Sequence, residues 1–176
     1  MRRLITLTLT TTALLCLAVA LPAGNAAAQE NQQVSYKVSA ANTTYTVQQN
    51  IDVGDVPGHI VRVFELRRTF PNNAPVINGV PLKEEWYRGN VDITNGNGTA
   101  ALYFVYVMEN GDKFFARASA VNQAQSGKMI GTYVGHITGG TGKFATIKGT
   151  VHGGNNTDLA AAINEGQTDI EYSVSK

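Results

Sequence analysis

The stretch Ala101-Leu-Tyr-Phe-Val-Tyr-Val-Met-Glu-Asn-Gly-Asp-Lys-Phe-Phe-Ala-Arg-Ala-Ser-Ala120 decides the fold. Two strand-forming apolar runs flank Asn110-Gly111. That dipeptide tolerates the positive φ angles of a type I′ hairpin turn better than most. A turn there pairs Glu109 with Asp112 and fixes the register behind them. One face then sets Val107 against Phe114, Val105 against Ala116, Tyr103 against Ala118 and Ala101 against Ala120. The other sets Met108 against Lys113, Tyr106 against Phe115, Phe104 against Arg117 and Leu102 against Ser119. The first face is apolar and the second is aromatic with one cation. A strand pair of this kind cannot leave one face in water. One face must line a core or cavity, and the other must meet a second layer or subunit.

The rest of the chain has the same character. It is rich in Val, Thr, Tyr, Ile and Gly and alternates with period two between turn signals. Strands are predicted near 34–39, 43–49, 59–69, 85–94, 99–109, 113–122, 128–138, 143–152 and 167–175. The best helical candidate, Asp158 to Asn164, is one or two turns long. A second hairpin turns at Gly139-Gly140-Thr141-Gly142 and pairs Thr138 with Lys143. Glycines 131, 135 and 149 inside its strands suit sharp bends of a sheet. The segment Phe70 to Lys83, with three prolines, is long for a hairpin loop and fits a functional cover or mobile segment. Together these features predict an all-β fold, a small closed antiparallel barrel of about eight strands. A β-sandwich is the alternative.

Gly139-Gly140-Thr141-Gly142-Lys143-Phe144-Ala145, followed by Gly149, resembles the hairpin signature of the allene oxide cyclase and dirigent barrels. The preceding Gly131-Thr-Tyr-Val-Gly-His-Ile strand fits the same pattern. The stretch from Phe64 to Gly79 and the run Val107-Met-Glu-Asn-Gly-Asp-Lys-Phe-Phe look like a group of uncharacterised secreted bacterial proteins. The resemblance implies an eight-stranded barrel with a lumen for an apolar or aromatic small molecule, often in a trimer. No catalytic residue of those families aligns here, so none is carried over.

The N-terminus has the three parts of an export signal. Arg2 and Arg3 precede an uncharged run from Leu4 to Leu21, and Pro22, Gly24 and Asn25 break it. Ala26-Ala27-Ala28 supplies the small residues of a cleavage site before Gln29. The reading is a signal peptide over 1–28 and one β-barrel domain over 29–176, secreted or periplasmic. A membrane anchor is the competing reading, and the small-residue exit favours cleavage. Cys16 follows Leu15, where a lipoprotein signal wants a small residue. Cleavage removes that only cysteine and two arginines, leaving 12 basic residues against 13 acidic ones. A net charge of −1 gives no electrostatic reason to bind nucleic acid.

Candidate chemistry is sparse. Gly142-Lys143 is a turn rather than a phosphate loop: Ile137 stands where the first glycine is needed, and Phe144 replaces the Ser or Thr. His59, His136 and His152 lack the close spacing of a metal motif, and the hairpin register sends His136 and His152 to opposite faces. No metal or cofactor is expected. Asn42, Asn97 and Asn155 stand in sequons read as chance. Glu65 shares a strand face with Val61, Val63 and Arg67, and Arg117 sits beside Phe104, Tyr106 and Phe115. Charges among aromatics are the polar handles of an apolar ligand pocket, and Trp86 and Arg88 fit its mouth. The competing reading for all of these is structural pairing between strands.

The leading functional expectation is a non-catalytic binder of a small apolar or aromatic ligand or of a protein partner. Its proposed ligand-binding residues are Glu65, Trp86, Arg88, Phe104, Tyr106, Phe115 and Arg117. An isomerase or cyclase acting in the lumen is the second reading, with Glu65 as its first candidate base. A small outer-membrane barrel is the third; otherwise no membrane association is expected after cleavage. A homo-oligomer is expected through an outward patch of Tyr103, Val105, Val107 and Phe114.

Overall fold

A computed structural model describes residues 31–175; the predicted signal peptide lies outside the described residues. Ten strands form: β1 Gln32–Val38, β2 Thr43–Asp52, β3 His59–Thr69, β4 Val76–Ile77, β5 Val80–Thr94, β6 Asn97–Met108, β7 Lys113–Gln125, β8 Lys128–Gly140, β9 Ile147–Asp158 and β10 Ile163–Val174. All pair antiparallel in one sheet of order β1-β10-β9-β8-β7-β6-β5-β3-β2, with β4 beside β5. The all-β class is as expected. The closed eight-stranded barrel is not what forms, nor is a sandwich: ten strands make one open sheet.

The reason lies between the two edge strands. β1 pairs only with β10 and β2 only with β3. The chain crosses from one edge to the other through a single 3-10 turn, Ala40–Asn42. Its backbone donors are spent locally: Asn42 N–H donates to the Ser39 carbonyl (3.1 Å) and Thr43 N–H to that of Ala40. No ladder therefore joins β1 to β2. The sheet nevertheless curls until its ends approach. The Tyr36 hydroxyl of β1 donates to Glu85 of β5 (3.3 Å), and Arg68 Nη2 of β3 donates to Asn164 Oδ1 of β10 (2.8 Å).

The central hairpin forms, one residue out of the predicted register. Met108 N–H donates to the Asp112 carbonyl (2.9 Å) and Gly111 N–H to the Met108 carbonyl (3.0 Å). Gly111 takes a φ of 87°. This is a three-residue loop with a glycine bulge in place of a two-residue type I′ turn. Tyr106 now faces Phe114, Val105 faces Phe115, and Val107 faces Lys113. A one-residue slip sends every side chain of β7 to the other face. Phe114, Ala116, Ala118 and Ala120 point inward, where the expected register would have buried Arg117 and Ser119. The predicted outward patch is therefore wrong in Phe114, which is fully buried. Type I′ geometry appears elsewhere, at Asn78-Gly79 (φ 48°, 73°), Asn95-Gly96 (51°, 81°) and Ser126-Gly127 (51°, 77°).

The second hairpin also differs. A 3-10 turn, Gly142–Phe144, takes the place of the tight loop, and His136 pairs with Thr150 and Val134 with His152. His136 and His152 thus share the outer face instead of opposing each other. Phe144 swings inward, fully buried, and stacks on Phe114 with ring centres 5.5 Å apart. Gly135 sits where a Cβ would lie 2.0 Å from the Arg117 carbonyl, so only glycine fits this close approach. The segment Asp158 to Asn164 is no helix: Asp158 Oδ1 accepts from the N–H of Ala160 and Ala161 (both 3.0 Å) and shapes a turn between β9 and β10.

The interior is filled by an aromatic column. Tyr87 stacks on Phe104 (4.5 Å), Phe104 on Tyr106 (5.9 Å), and Tyr106 on Phe114 (4.2 Å). The 70–83 segment forms a plug, not a loose cover: Ile77, Val80 and Leu82 are buried, and Asn78 N–H donates to the Tyr172 hydroxyl (2.7 Å). The two adjacent phenylalanines should therefore separate sharply on substitution. Phe114→Ala should cost about 3–5 kcal/mol in urea denaturation, whereas Phe115→Ala should cost about 1 kcal/mol or less. A larger loss at Phe115 than at Phe114 would favour the predicted register instead.

Candidate functional site

The sequence-predicted site residues divide between the two faces of the sheet. Phe104 and Tyr106 are buried inside. Glu65, Trp86, Arg88, Phe115 and Arg117 lie on the outer face, so the seven make no common pocket. Four of them, Glu65, Trp86, Arg88 and Arg117, belong to an outer lattice of ion pairs, hydrogen bonds and ring contacts. Arg88 Nε donates to Glu65 Oε2 (2.5 Å), and Thr46 Oγ1 donates to Glu65 Oε1 (2.7 Å). The Thr46 bond first, and then Arg88, hold the Glu65 carboxyl below the usual range. Trp86 is flanked by the guanidinium groups of Arg67 and Arg88, at 5.8 and 5.1 Å from its ring centre. Its Nε1–H donates to Glu84 (3.0 Å), which also pairs with Arg67. Arg117 stacks on Tyr103 at 5.1 Å. A carboxylate so placed, outward and ion-paired, is a poor base for chemistry in an interior.

The interior holds polar residues that the sequence reading passed over. Arg68 and Glu85 are both fully buried and lie 3.6 Å apart (Nη1 to Oε2). Arg68 also sits 5.3 Å above the Tyr87 ring. Tyr133 shares a 2.8 Å hydrogen bond with Thr168 Oγ1. Burial pushes the Glu85 carboxyl above the ordinary range, against the pull of Arg68 and Tyr36. The signal that conceals Glu85 is a bulge. Pairing of β5 with β6 shifts register between Leu82 and Glu84, so Leu82 and then Glu85 and Tyr87 point inward. Unbroken alternation from Leu82 would have turned Trp86 and Arg88 inward, as the sequence suggests.

A pocket opens where the two ends of the sheet approach. Tyr45 of β2 and Arg62 of β3 form one side; Asn155, Thr157 and Asn164 of β9 and β10 form the other. Phe64, Tyr87, Leu102 and Met129 line its apolar floor, Asn122 projects from β7, and Leu159 of the β9–β10 turn borders it. The enclosed free volume is about 30 Å³, the room of about one water. Asn155 Nδ2 and Asn164 Nδ2 both donate to Thr157 Oγ1 (2.8 Å each). The Arg62 guanidinium lies 5.3 Å from the Tyr45 ring centre and donates to Gln48. Among the described residues, no group of three or more His, Cys, Asp or Glu could hold a metal ion.

No family model matches the chain, and no curated protein matches it. Among solved structures, the pterocarpan synthase dirigent protein PsPTS1 is similar at 12% identity and a TM-score of 0.49, covering 84% of this chain and 96% of that one. A likeness at this level assigns neither family nor activity.

The two glutamates should titrate with opposite signs. Glu65, held low, contributes stability above the ordinary glutamate range and loses it as pH falls through its folded value. Glu85, held high, favours the folded state at low pH, and that advantage is lost as pH rises through its folded value. Urea titrations between about pH 4 and pH 8 should show Glu85→Gln gaining on the parent as pH rises and Glu65→Gln losing ground. Parallel curves for both variants would contradict the assignment.

Proposed function

We propose that this protein is an exported, non-catalytic binding module that takes a small molecule with an apolar body at the pocket between the two ends of its sheet. The observation that carries the proposal is the mixed lining of that pocket. An aromatic and aliphatic floor meets a rim of amides and one buried guanidinium. Sites for small molecules commonly combine an apolar wall with a few convergent polar groups. The free volume is small, so a ligand larger than water enters by displacing Leu159, the apolar side chain that the β9–β10 turn brings to the pocket. The export half of the proposal rests on the first 28 residues of the sequence, and a mature protein starting at Gln29 is its expected form.

The catalytic reading built on Glu65 is not retained, because that side chain is outside and ion-paired. The outer-membrane reading also loses support. Arg67, Arg88, Glu84, Arg117 and His136 decorate the outer face, whereas a lipid-facing strand carries an apolar band there.

A protein partner remains a second reading, favoured by one feature. Val63, Tyr103, Val121 and Val134 stand 46–66% exposed on the outer face of β3, β6, β7 and β8. Val63, Asn90, Ala101, Ser119 and Val134 lie in one cross-strand row, which offers a second copy a shallow surface of small and branched residues. Sedimentation of the mature protein at tens of micromolar should show an oligomer that Val134→Lys converts to a monomer. A monomeric parent protein ends this second reading.

The ligand proposal has its own test. Native mass spectrometry of the protein from its original host should show an adduct that denaturation releases. Leu159→Trp, which fills the pocket, should keep the fold by circular dichroism and lose the adduct. A parent protein without an adduct, or an adduct undiminished in the variant, would count against the site.

A further inference from the structure

The pocket between the sheet ends carries an unbalanced charge. Arg62 is 3% exposed. Among the described residues it has no carboxylate within ion-pair distance; its guanidinium reaches only the Gln48 side chain and the Tyr45 ring. The contrast with the other arginines of β3 and β5 is plain. Arg67, Arg68 and Arg88 each face a glutamate. A buried cation normally has a counter-ion, because the interior replaces little of the lost hydration. Arginine cannot escape by giving up its proton. Burial pulls the Arg62 guanidinium below its usual range.

A second group in the same pocket points the same way. Asn122, 5% exposed, has a buried side-chain Nδ2 with no hydrogen-bond partner. The other amide donors of the rim are occupied: Asn155 and Asn164 both donate to Thr157, and Asn164 in turn accepts from Arg68. What the pocket lacks is therefore an acceptor that carries negative charge. Both groups that lack one belong to the lining of a single small cavity whose floor is apolar, with Phe64, Val91, Ile93 and Leu102 in it.

We propose that the pocket between the sheet ends binds a small monocarboxylic acid. Its carboxylate is held by Arg62 and Asn122, and its compact apolar body lies on the Phe64 and Leu102 side. This rests on the ligand-binding reading above and names the chemical class of its ligand. A carboxylate supplies two acceptor oxygens for the planar donor fork of arginine and has an oxygen lone pair to spare for an amide N–H. A neutral ligand of the same shape would leave the Arg62 charge uncompensated. The discrimination between acid and amide is therefore the property that this pocket should show most strongly.

Isothermal titration of the mature protein with benzoate, benzamide and inorganic phosphate, at constant ionic strength, tests the assignment. Benzoate should bind roughly tenfold or more tightly than benzamide, as expected for one charge-assisted contact. It should also outcompete phosphate, which lacks the apolar body. Arg62→Gln should bring benzoate and benzamide to equal affinity, and Asn122→Leu should weaken benzoate severalfold. If Arg62→Gln does not fold, Asn122→Leu and the acid-to-amide ratio of the parent protein carry the test. Equal binding of benzoate and benzamide by the parent would overturn the carboxylate assignment and leave the ligand-binding reading standing. Binding of phosphate as tight as benzoate would overturn the apolar half. Benzoate binding unaffected by Leu159→Trp would place it elsewhere and overturn the assignment. Failure of both benzoate and benzamide to bind at millimolar concentration would overturn the assignment and, with no adduct on the native protein, the underlying reading too.

Discussion

The stack of Tyr106 on Phe114, ring centres 4.2 Å apart, is the contact on which the rest of the molecule depends. It joins the two central strands on the inner face and fixes their register. From that register follows which half of β7 is core and which is surface. The stack extends by Phe104 and Tyr87 along the interior and by Phe144 into the β8–β9 turn. Aromatic pairs contribute both buried area and a preferred geometry. A one-residue change at this point would exchange four small or aromatic inward residues of β7 for a set that includes Arg117. Burying that cation without a partner costs more than a less regular turn at Asn110.

With the middle of the interior filled by rings, polar residues collect where the curled sheet brings distant strands together. Arg68 and Glu85 come from neighbouring strands and meet Tyr36 and Asn164 from the far end of the sheet order. These contacts tie β3 and β5 to β1 and β10 without a ladder between the edges. Side chains do here what backbone hydrogen bonds would do in a closed barrel. The consequence is a gap in the backbone hydrogen bonding beside an amide-rich pocket, and the unbalanced Arg62 lies in it. A continuous ladder would have placed paired backbone at this position.

Much of the fold is legible as alternation, and the misreadings fall at places where alternation breaks. Glu85 and Tyr87 escape notice because the bulge after Leu82 reverses the faces of β5. Trp86 and Arg88 look inward for the same reason, although they form part of the outer lattice with Glu65. Alternation sets Arg62 on the face of Phe64 and Leu66, opposite Arg67, but says nothing of what surrounds it there. Its significance comes from Asn122, Asn155 and Asn164, which lie at least 60 positions away in the chain and meet it only through the curl.

The sequence by itself determined that the described residues form a β fold, where most of its strands run, and that the hairpins at 110 and 140 join neighbouring strands. Period-two patterning and turn residues act over a few positions, so they are written locally. Only the tertiary structure decided the registers, the faces and the open edge. Register is chosen by which side chains fit a shared interior, and bulges let the chain shift by one residue at little local cost. Whether the sheet closes depends on how β1 and β2 meet across Ala40–Asn42, where the turn's own hydrogen bonds prevail over a ladder between the edges. That competition involves both ends of the sheet at once, and no short stretch of sequence contains it.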